Sequence, residues 1–595
     1  MKNDYFIMYN PLTFNLMDIK EKNSITPYDL ISYITCKNAE KLSFDTYLDY
    51  LVKDQNKHRE TMIETFAMET YAAIYIGNQI AKTEKSSTVF HADDKRRTIK
   101  EIIIKQGEKP KAVFITAMSA NFPTAVIDSI ILNHGKIPVI IGGIHVSSSH
   151  KDTNNFIRKH CPNKNIIADV IGPGDKIVIK QIIDDINNNN LQKTYHGNIS
   201  VGDKVWMPQK NVDYLPPLNL NSLKRIPAIG NFLAKNMKAI PVAPFLGCPF
   251  SCKFCSISSL PKNKRKFTIR STDDIIDELS YHQNNKKKFE SQMFIFLPDN
   301  LLLGEKYLND IADKIISKNF NVNFITQISI EIASKEKLLK KLRLAGATHF
   351  FIGLESLDIR NLEFIQKNVV KDIKKSNLSV SKYYTQKIKI IQNHGISIHG
   401  AFIIGLPHDY FLSFEDNTTN NIIRFCIENH IGLQPGILTD LPGSKLFYES
   451  QNAGLSLYGK QGTMNYLLSL CLADISESNR KIPDALKNSQ IALLSMGLES
   501  VRKIGSTKHA LKNAFYMMAK SFANPTFQGK KSLQKRFLNS AYSFAAQLYA
   551  ALYKDVGEKL GQSKNGIRGS FERLYEEECE ENKKYFYNYV SQFLK

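Results

Sequence analysis

Three cysteines with the spacing C-x3-C-x2-C are the residues of this chain best suited to chemistry. Cys248, Cys252 and Cys255 lie in the stretch Gly-Cys-Pro-Phe-Ser-Cys-Lys-Phe-Cys. Iron–sulfur clusters normally take four cysteine ligands, and a structural zinc site also takes four closed ligands. Three thiolates fit three corners of a four-iron cluster and leave one iron open to a substrate or second cofactor. No fourth cysteine or ligand-spaced histidine lies nearby, so the spacing favours a reactive [4Fe–4S] cluster, with zinc or coincidence as alternatives.

This spacing resembles the signature of the radical S-adenosylmethionine (SAM) enzymes. In that superfamily the open iron chelates the amino and carboxylate groups of SAM, and an electron from the cluster cleaves SAM to a 5′-deoxyadenosyl radical. The residue before the last cysteine is usually aromatic and contacts the adenine, which implies this role for Phe254. A plain core aromatic is the alternative for that position.

Length, cysteine usage and charge limit the class of protein. The 595 residues suggest about three or four domains, and five of the eight cysteines are scattered without pattern. This use of cysteine does not indicate a disulfide framework, and it fits a reducing, cytoplasmic location. We expect no signal peptide and no transmembrane helix. The net charge of +22 raises nucleic acid as a partner, but no basic block is long and unbroken, so solvated surface charge is favoured.

The first 200 residues alternate between strand and helix patterns. This alternation predicts a parallel, doubly wound, Rossmann-like sheet, in which ligands bind at the carboxyl ends of the strands. Helices are predicted over 64–81 and 124–133. The predicted strands are Tyr5–Tyr9, Ser87–Phe90, Ala112–Thr116, Pro138–Ile141 and Ala168–Ile171.

Small or polar residues follow three of these strands. Ser119 and Asn121 come after the third strand, Gly142 and Gly143 after the fourth, and Gly172 after the fifth. Small residues let a large ligand approach the backbone closely. Tight turns in any doubly wound fold need small residues as well, so each position by itself is a weak signal.

Residues 1 to about 200 resemble the cobalamin-binding domain that precedes the radical domain in one subclass of radical SAM enzymes. The resemblance implies that Ser119, Gly142 and Gly143 accommodate the nucleotide tail. The lower-axial-histidine signature Asp-x-His-x-x-Gly is absent, so the cobalt would have no lower protein ligand from that motif. A sheet that keeps the fold without the cofactor is the alternative.

From about Lys238 the chain shows six longer strand–helix repeats. These predict a partial six-fold parallel barrel with its chemistry at the carboxyl ends of the strands, and the three cysteines directly follow its first strand. The predicted strands are Ile240–Phe245, Met293–Leu297, Asn323–Gln327, His349–Gly353, Ser397–Ile404 and Gly432–Thr439. The predicted helices are Thr272–Tyr281, Tyr307–Lys318, Lys335–Ala345, Tyr383–Asn393, Leu412–Asn429 and Ser444–Gln451.

Polar residues follow the second, third and fourth of these strands. They are Asp299, Asn300, Gln327, Glu355 and Ser356. Such an edge can hydrogen-bond an amino acid, a ribose and an adenine. Ordinary helix capping by Asp, Asn and Ser is the alternative.

These segments resemble the radical SAM core, particularly the cobalamin-dependent methyltransferases and the anaerobic porphyrin ring cyclases. Gly400 and Gly405 match the fifth-strand motif that packs beside adenine. Glu355 and Ser356 match the fourth-strand motif near the ribose or methionine end. Pro298 replaces the first of two aspartates that the group commonly has before asparagine, so the local backbone role is open.

The predicted fold is therefore an α/β chain with a cobalamin-binding-like Rossmann domain at 1–200, a linker at 201–237, a radical SAM partial (β/α)6 TIM-like barrel at 238–455 and a helical C-terminal domain at 456–595. The resemblance implies a [4Fe–4S] cluster, SAM and cobalamin as cofactors. It implies methylation of an unactivated carbon of a small metabolite, lipid or peptide, with an external electron donor such as flavodoxin or ferredoxin. Cyclisation or rearrangement with the same cofactors, and RNA modification, are the alternatives.

Overall fold

The computed structural model describes two sets of residues. In the first half of the chain these are 4–9, 71–92, 99–119, 121–172, 174, 176–197, 218–219, 230–246, 248, 250–259, 268–287 and 290–298. In the second half they are 300–404, 406–409, 418–438, 441–453, 512, 515–517 and 519–520.

The chain divides into two compact units. The first is built on Met1–Leu215 and also includes Phe254–Thr268 and Asp440–Lys481. The second is built on Ile269–Thr439 and also includes Pro216–Lys253. The domain boundaries expected from the sequence stay predictions.

Within its described residues, the first unit contains a parallel sheet of six strands in the order β2-β1-β3-β4-β5-β6. Five of these strands were predicted, each within two residues of its observed bounds, and β6 was missed. The strands are β1 Tyr5–Tyr9, β2 Thr88–Ala92, β3 Ala112–Thr116, β4 Val139–Gly142, β5 Ile167–Ile171 and β6 Thr194–His196.

Helices cover both faces of this sheet. They are α1 Tyr71–Thr83, α2 Ile99–Gln106, α3 Phe122–His134, α4 Ile144–Ser148 and α5 Lys176–Asn187. Because side chains alternate along a strand, β1 serves two cores. Tyr5, Ile7 and Tyr9 pack with residues of α2 and α3, whereas Phe6 and Met8 pack with residues of α1 and α5. The predicted parallel α/β arrangement of this unit is confirmed.

The second unit contains a seven-stranded sheet in the order β15-β14-β13-β12-β11-β8-β7, among the strands that the structure describes. All neighbours are parallel except β7 and β8. The six parallel strands are the six predicted ones. The strands are β7 Leu218–Asn219, β8 Met237–Val242, β11 Ser291–Phe296, β12 Asn323–Gln327, β13 Ala347–Glu355, β14 Ser397–Ile404 and β15 Gly432–Ile437, and β9 Phe245–Leu246 with β10 Thr268–Ile269 forms a separate short sheet.

The helices after these strands follow the predicted alternation. Ser271 Oγ accepts the backbone N–H of Asp274 at 3.1 Å and so caps the helix after the cysteine loop. Two short helices, α10 and α11, interrupt the connection after β13 and were not predicted. The helices are α6 Gly230–Asn236, α7 Thr272–Asn284, α8 Glu305–Ser317, α9 Glu336–Leu344, α10 Ile359–Phe364, α11 Val370–Ser376, α12 Val380–Asn393, α13 Thr418–Glu428 and α14 Lys445–Ala453.

Shorter helical turns complete the described elements. They are a π-helix at Thr153–Ile157 and 3₁₀ turns at Arg158–His160, Lys164–Ile166, Ser256–Ser259, Leu301–Leu303 and Ile330–Ser334. Most of the predicted linker and helical C-terminal domain, and residues 64–70 of a predicted helix, lie outside the described residues. In the part of the chain that is described, no helix is both long and apolar enough to cross a bilayer.

Candidate functional site

The three cysteines of the motif follow the first parallel strand of the seven-stranded sheet. β8 ends at Val242, and Cys248, Cys252 and Cys255 lie in the loop after it, each half-buried. No described cysteine forms a disulfide bond. Phe254, predicted to contact adenine, is half-buried in the same loop. The thiols thus lie beyond the carboxyl end of a parallel strand, where the strand pattern predicted them.

The donor set suits a four-iron cluster. A structural zinc ion takes four ligands around a single centre, whereas this loop supplies three thiols. In a four-iron cluster each thiolate binds a different iron, so the sulfur atoms need not converge on one point. Three half-buried thiols in one loop therefore fit the cluster.

Cys252 lies in the field of a buried lysine. Burial raises the pKa of the Cys252 thiol, Lys367 opposes that rise, and Glu355 adds to it. Burial by itself would lower the pKa of Lys367, but Glu355 and Cys252 raise it above its ordinary value. Because the thiolate is the form that binds metal, Lys367 favours the ligand form of Cys252.

The backbone of the cysteine loop is attached to the segment that carries this lysine. The Lys253 backbone N–H donates to the Ile365 carbonyl oxygen at 3.0 Å. The Lys253 ammonium lies 4.0 Å from the centroid of the Phe364 ring, a cation–π contact. The loop between Cys252 and Cys255 is therefore positioned by the end of α10 and the turn after it.

The end of β13 holds Glu355 in a constrained position. Its φ of 66° lies in the left-handed region, which costs a non-glycine residue conformational energy. Its Oε1 accepts a hydrogen bond from Lys367 Nζ at 2.9 Å, and the two side chains are 10% and 19% exposed. A Cβ added at Gly353 would overlap the Glu355 carboxylate. Glycine at 353 therefore leaves the space that this carboxylate occupies.

Ser356 belongs to a buried polar network that the sequence analysis missed. Asn361 Nδ2 donates to Ser356 Oγ at 3.3 Å and to Asp409 Oδ1 at 2.8 Å. Asn361 Oδ1 accepts the backbone N–H of His408 at 2.9 Å. These bonds tie the loop after β14 to the end of β13. No sequence spacing links Asn361 and Asp409, which lie 48 residues apart.

Asn300 joins the ends of two strands. Its Oδ1 accepts the backbone N–H groups of Leu302 and Ser329, both at 3.2 Å. It therefore caps the 3₁₀ turn after β11 and holds the start of the loop after β12, so the capping alternative describes its observed contacts. Gln327, the last residue of β12, is exposed at this same end of the strand.

Two further predicted positions, Asp299 and Gly405, lie outside the described residues. Gly400 lies inside β14 and is buried. A Cβ added there would lie 3.0 Å from Leu354 Cδ1 and 3.2 Å from Ile431 Cδ1. The apolar side chains around Gly400 already require a small residue, and its role beside adenine stays a prediction.

In the first unit, the predicted cofactor residues meet at one edge of the sheet. β3, β4 and β5 are neighbours and parallel, so their carboxyl ends lie side by side. Ser119 and Asn121 follow β3, Gly142 and Gly143 end β4, and Gly172 follows β5. The structure thus brings these five positions to a common edge, which is where doubly wound sheets bind ligands.

Two of these glycines are required by the backbone itself. Gly143 has a φ of 107°, and a Cβ there would overlap the backbone of Ala117. Gly172 has a φ of 85°, and its N–H donates to Ser147 Oγ at 3.0 Å. Because glycine has no side chain, these two positions leave the backbone at this edge accessible, which suits a large ligand.

A buried histidine network lies at this edge and was not predicted. His145 is fully buried, with Nδ1 3.1 Å from Ser119 Oγ and Nε2 3.2 Å from Asp152 Oδ2. Its ring stacks on Phe122 with centroids 3.7 Å apart. Burial lowers the pKa of His145, and Asp152 opposes this. Its place two residues after Gly143 was the only signal in the sequence.

The first unit also contains the turn that follows the last cysteine. The 3₁₀ turn Ser256–Ser259 packs against helix α4, which begins directly after Gly143. The end of the cysteine loop and the predicted cofactor edge therefore lie next to each other within this unit.

One protein family has a model that matches part of this chain. Residues 242–416 match the model of the Radical SAM superfamily. The chain is 26% identical over 321 residues to bacteriochlorophyllide d C-8(2)-methyltransferase of Chlorobaculum tepidum, a match that spans 53% of this chain and 63% of that protein. It is 28% identical over 359 residues to an uncharacterized methyltransferase of Pyrococcus horikoshii, covering 58% of this chain and 70% of the relative.

One solved structure similar to this chain is the radical S-adenosylmethionine methyltransferase TsrM of Kitasatospora setae with cobalamin and a [4Fe–4S] cluster bound. The identity is 12% and the TM-score 0.46, over 80% of this chain and 96% of that one.

Proposed function

We propose that this chain is a cobalamin-dependent radical SAM methyltransferase, because residues 242–416 match the model of the Radical SAM superfamily. Radical SAM domains use a [4Fe–4S] cluster and SAM. The observation that carries the proposal is the C-x3-C-x2-C loop after β8, which lies inside the matched residues. Cys248, Cys252 and Cys255 would hold three irons and leave the fourth for SAM.

The carboxyl ends of the parallel strands would form the SAM site. Aromatic, polar and glycine positions at these ends would contact its adenine, ribose and methionine parts. They are Phe254, Asp299, Asn300, Gln327, Glu355, Ser356, Gly400 and Gly405. The backbone ties made by Asn300 and by the Ser356–Asn361 network support this role, because they fix the loops that would carry the contacts.

Cobalamin would bind at the carboxyl edge of the six-stranded sheet. Ser119, Asn121, Gly142, Gly143 and Gly172 lie together there, and the glycines leave the backbone open. The contact of α4 with the turn Ser256–Ser259, in the same unit, would bring this edge next to the residues that follow Cys255.

When bound, the cluster and SAM supply a 5′-deoxyadenosyl radical and cobalamin supplies the methyl group. The chain's own residues would position the reactants and exclude water, while the cofactors carry the difficult chemistry. No general base is assigned, since removal of a hydrogen atom from carbon leaves no proton to transfer.

We propose an unactivated carbon of a small organic molecule, lipid or peptide as the methyl acceptor. The relative in Chlorobaculum tepidum is named for methylation of bacteriochlorophyllide d, which supports an organic acceptor over a nucleic acid. We also propose that the six parallel strands curve into a partial barrel, and that flavodoxin or ferredoxin supplies the electron in the cytoplasm.

Anaerobic reconstitution tests the proposal. The protein is loaded with iron, sulfide and cobalamin, then incubated with SAM and dithionite, and 5′-deoxyadenosine and S-adenosylhomocysteine are measured by mass spectrometry. We expect both products. Cys252→Ala should lose bound iron and 5′-deoxyadenosine, whereas Cys161→Ala, at a buried cysteine outside the motif, should keep both.

The outcome discriminates between functions. Cleavage of SAM that persists in Cys252→Ala would overturn the cluster assignment. Formation of 5′-deoxyadenosine with no S-adenosylhomocysteine would exclude methyl transfer and leave cyclisation or rearrangement, which a loss of hydrogens from the substrate mass would then identify.

A further inference from the structure

Lys367 and Glu355 form an ion pair next to a thiol that would ligate the cluster. Lys367 Nζ lies 2.9 Å from Glu355 Oε1, and both side chains are mostly buried, at 19% and 10% exposure. Ile365, two residues before Lys367, accepts a hydrogen bond from the backbone N–H of Lys253, which directly follows Cys252 in the chain. Two charges of opposite sign therefore lie on segments next to the same ligand.

The backbone holds both charges in position. Lys367 follows a turn in which Gln366 takes the left-handed conformation, and Ile365 in that turn accepts the hydrogen bond from Lys253. Glu355 is fixed by its own left-handed backbone and by the space above Gly353. The backbone of both residues is thus constrained, and the ion pair holds the Lys367 ammonium against Glu355.

Reduction of a four-iron cluster adds one negative charge to it. A fixed cation close by stabilises that added charge and a fixed anion destabilises it, more strongly where water is excluded. Cluster potentials respond to net charge, hydrogen bonds to sulfur and solvent exposure. Loss of the cation should therefore lower the potential, and loss of the anion should raise it.

We propose that Lys367 and Glu355 are positioning residues that set the reduction potential of the cluster through opposed charges, Lys367 raising it and Glu355 lowering it. This inference rests on the proposed function, since it requires that Cys252 ligates a cluster. The electron itself comes from the external donor, and neither residue exchanges a proton in the step.

A redox titration without SAM or substrate tests the pair. Lys367→Met and Glu355→Gln remove one charge each with little change of shape, and cluster reduction is followed by electron paramagnetic resonance. We expect Lys367→Met to lower the potential and Glu355→Gln to raise it. Each shift should be at least tenfold in the reduction equilibrium constant, which is about 59 mV for one electron. The exposed Lys371, four residues away on α11, provides the matched control, and Lys371→Met should leave the potential unchanged.

Two further measurements separate charge from folding. Iron and sulfide content is determined for every variant, and Lys367→Arg tests a variant that keeps the charge. With a full cluster, Lys367→Arg should stay close to the wild-type potential. Shifts in the same direction for both single variants, no shift with a full cluster, or a Lys367→Arg potential equal to that of Lys367→Met would overturn the inference.

The test also distinguishes this inference from the proposed function. A wild-type protein that assembles no reducible cluster would refute the proposed function itself. A wild-type protein with a normal cluster and SAM cleavage, but no opposed shifts, would refute only the role of Lys367 and Glu355.

Discussion

Buried histidines should make the folded protein sensitive to mild acid. Burial lowers the pKa of His282 and of His399 from the ordinary value of 6.5 to about 4. The pKa of His349 lies well below 6.5, because the ring is buried and the neighbouring His399 further disfavours its charged form. His399 Nδ1 lies 3.1 Å from His349 Nε2, and two fully protonated rings could not share that hydrogen bond. The folded state therefore keeps these rings neutral.

The sign of the pH dependence of stability follows from the number of protons bound in the folded and unfolded states. Between about pH 6.5 and pH 4 the unfolded chain binds protons on these histidines and the folded chain does not, so the free energy of unfolding rises with pH in this window. The stabilisation is fully present above pH 6.5 and is lost as pH falls toward 4. For His282 and His399 together, the loss from pH 6.5 to pH 5 is about 3 kcal/mol, at roughly 1.4 kcal/mol per bound proton and pH unit, because each unfolded histidine is only half-protonated at pH 6.5. That is a large part of the 5–15 kcal/mol typical of a folded domain.

Urea unfolding monitored by pulse proteolysis across this pH range measures the effect. His282→Phe replaces a fully buried ring, which meets Phe294 edge-on at 6.3 Å, with one that cannot titrate. It should remove about half of the slope due to His282 and His399. His150→Phe makes the same change at an exposed position and should leave the slope unaltered. A slope in His282→Phe equal to that of the wild type would refute the reasoning.

Three other changes have defined outcomes. Gly143→Ala should destabilise the apoprotein by more than the usual penalty of about 1–3 kcal/mol for a non-glycine residue in left-handed backbone, because the new Cβ also overlaps the backbone of Ala117. The melting temperature should therefore fall, and an unchanged melting temperature would contradict this. Arg270→Met breaks a fully buried pair with Glu278, 2.5 Å apart, and should cost about 3–5 kcal/mol in urea unfolding at neutral pH. Burial raises the pKa of Glu278, so the loss should shrink in acid, and a double variant with Glu278→Leu should recover most of it; absence of recovery would argue against the pair. In cluster-free protein, iodoacetamide should label the half-buried motif cysteines before Cys161 and Cys426, because the reagent reaches buried thiols more slowly; early labelling of Cys161 in peptide mass spectra would disprove this.

The strands were predictable because each carries a short apolar run that ends in a small or polar residue. Tyr5–Tyr9, Ala112–Thr116, Asn323–Gln327 and Ser397–Ile404 were predicted with their observed bounds. Such strands are buried on both faces of a parallel sheet, and their composition records this directly. β6, at the sheet edge and three residues long, carries too little of this pattern.

The partners of the site residues were not predictable. His145 with Asp152, Asn361 with Asp409, and Lys367 with Glu355 are pairs whose members belong to different elements or to turns of unforeseen shape. A side chain's hydrogen-bonding partner depends on where two elements meet, and residue type and spacing do not encode that position.

The sequence by itself determined the chemistry and its location along the chain. The spacing of three cysteines predicts the metal centre, and alternating apolar and polar stretches predict parallel α/β units, because ligand geometry and hydrophobic periodicity act over a few residues. Only the tertiary structure decided which charges surround Cys252 and which backbone groups hold its loop. Burial removes the water that would screen those charges, and burial exists only once the strands have packed.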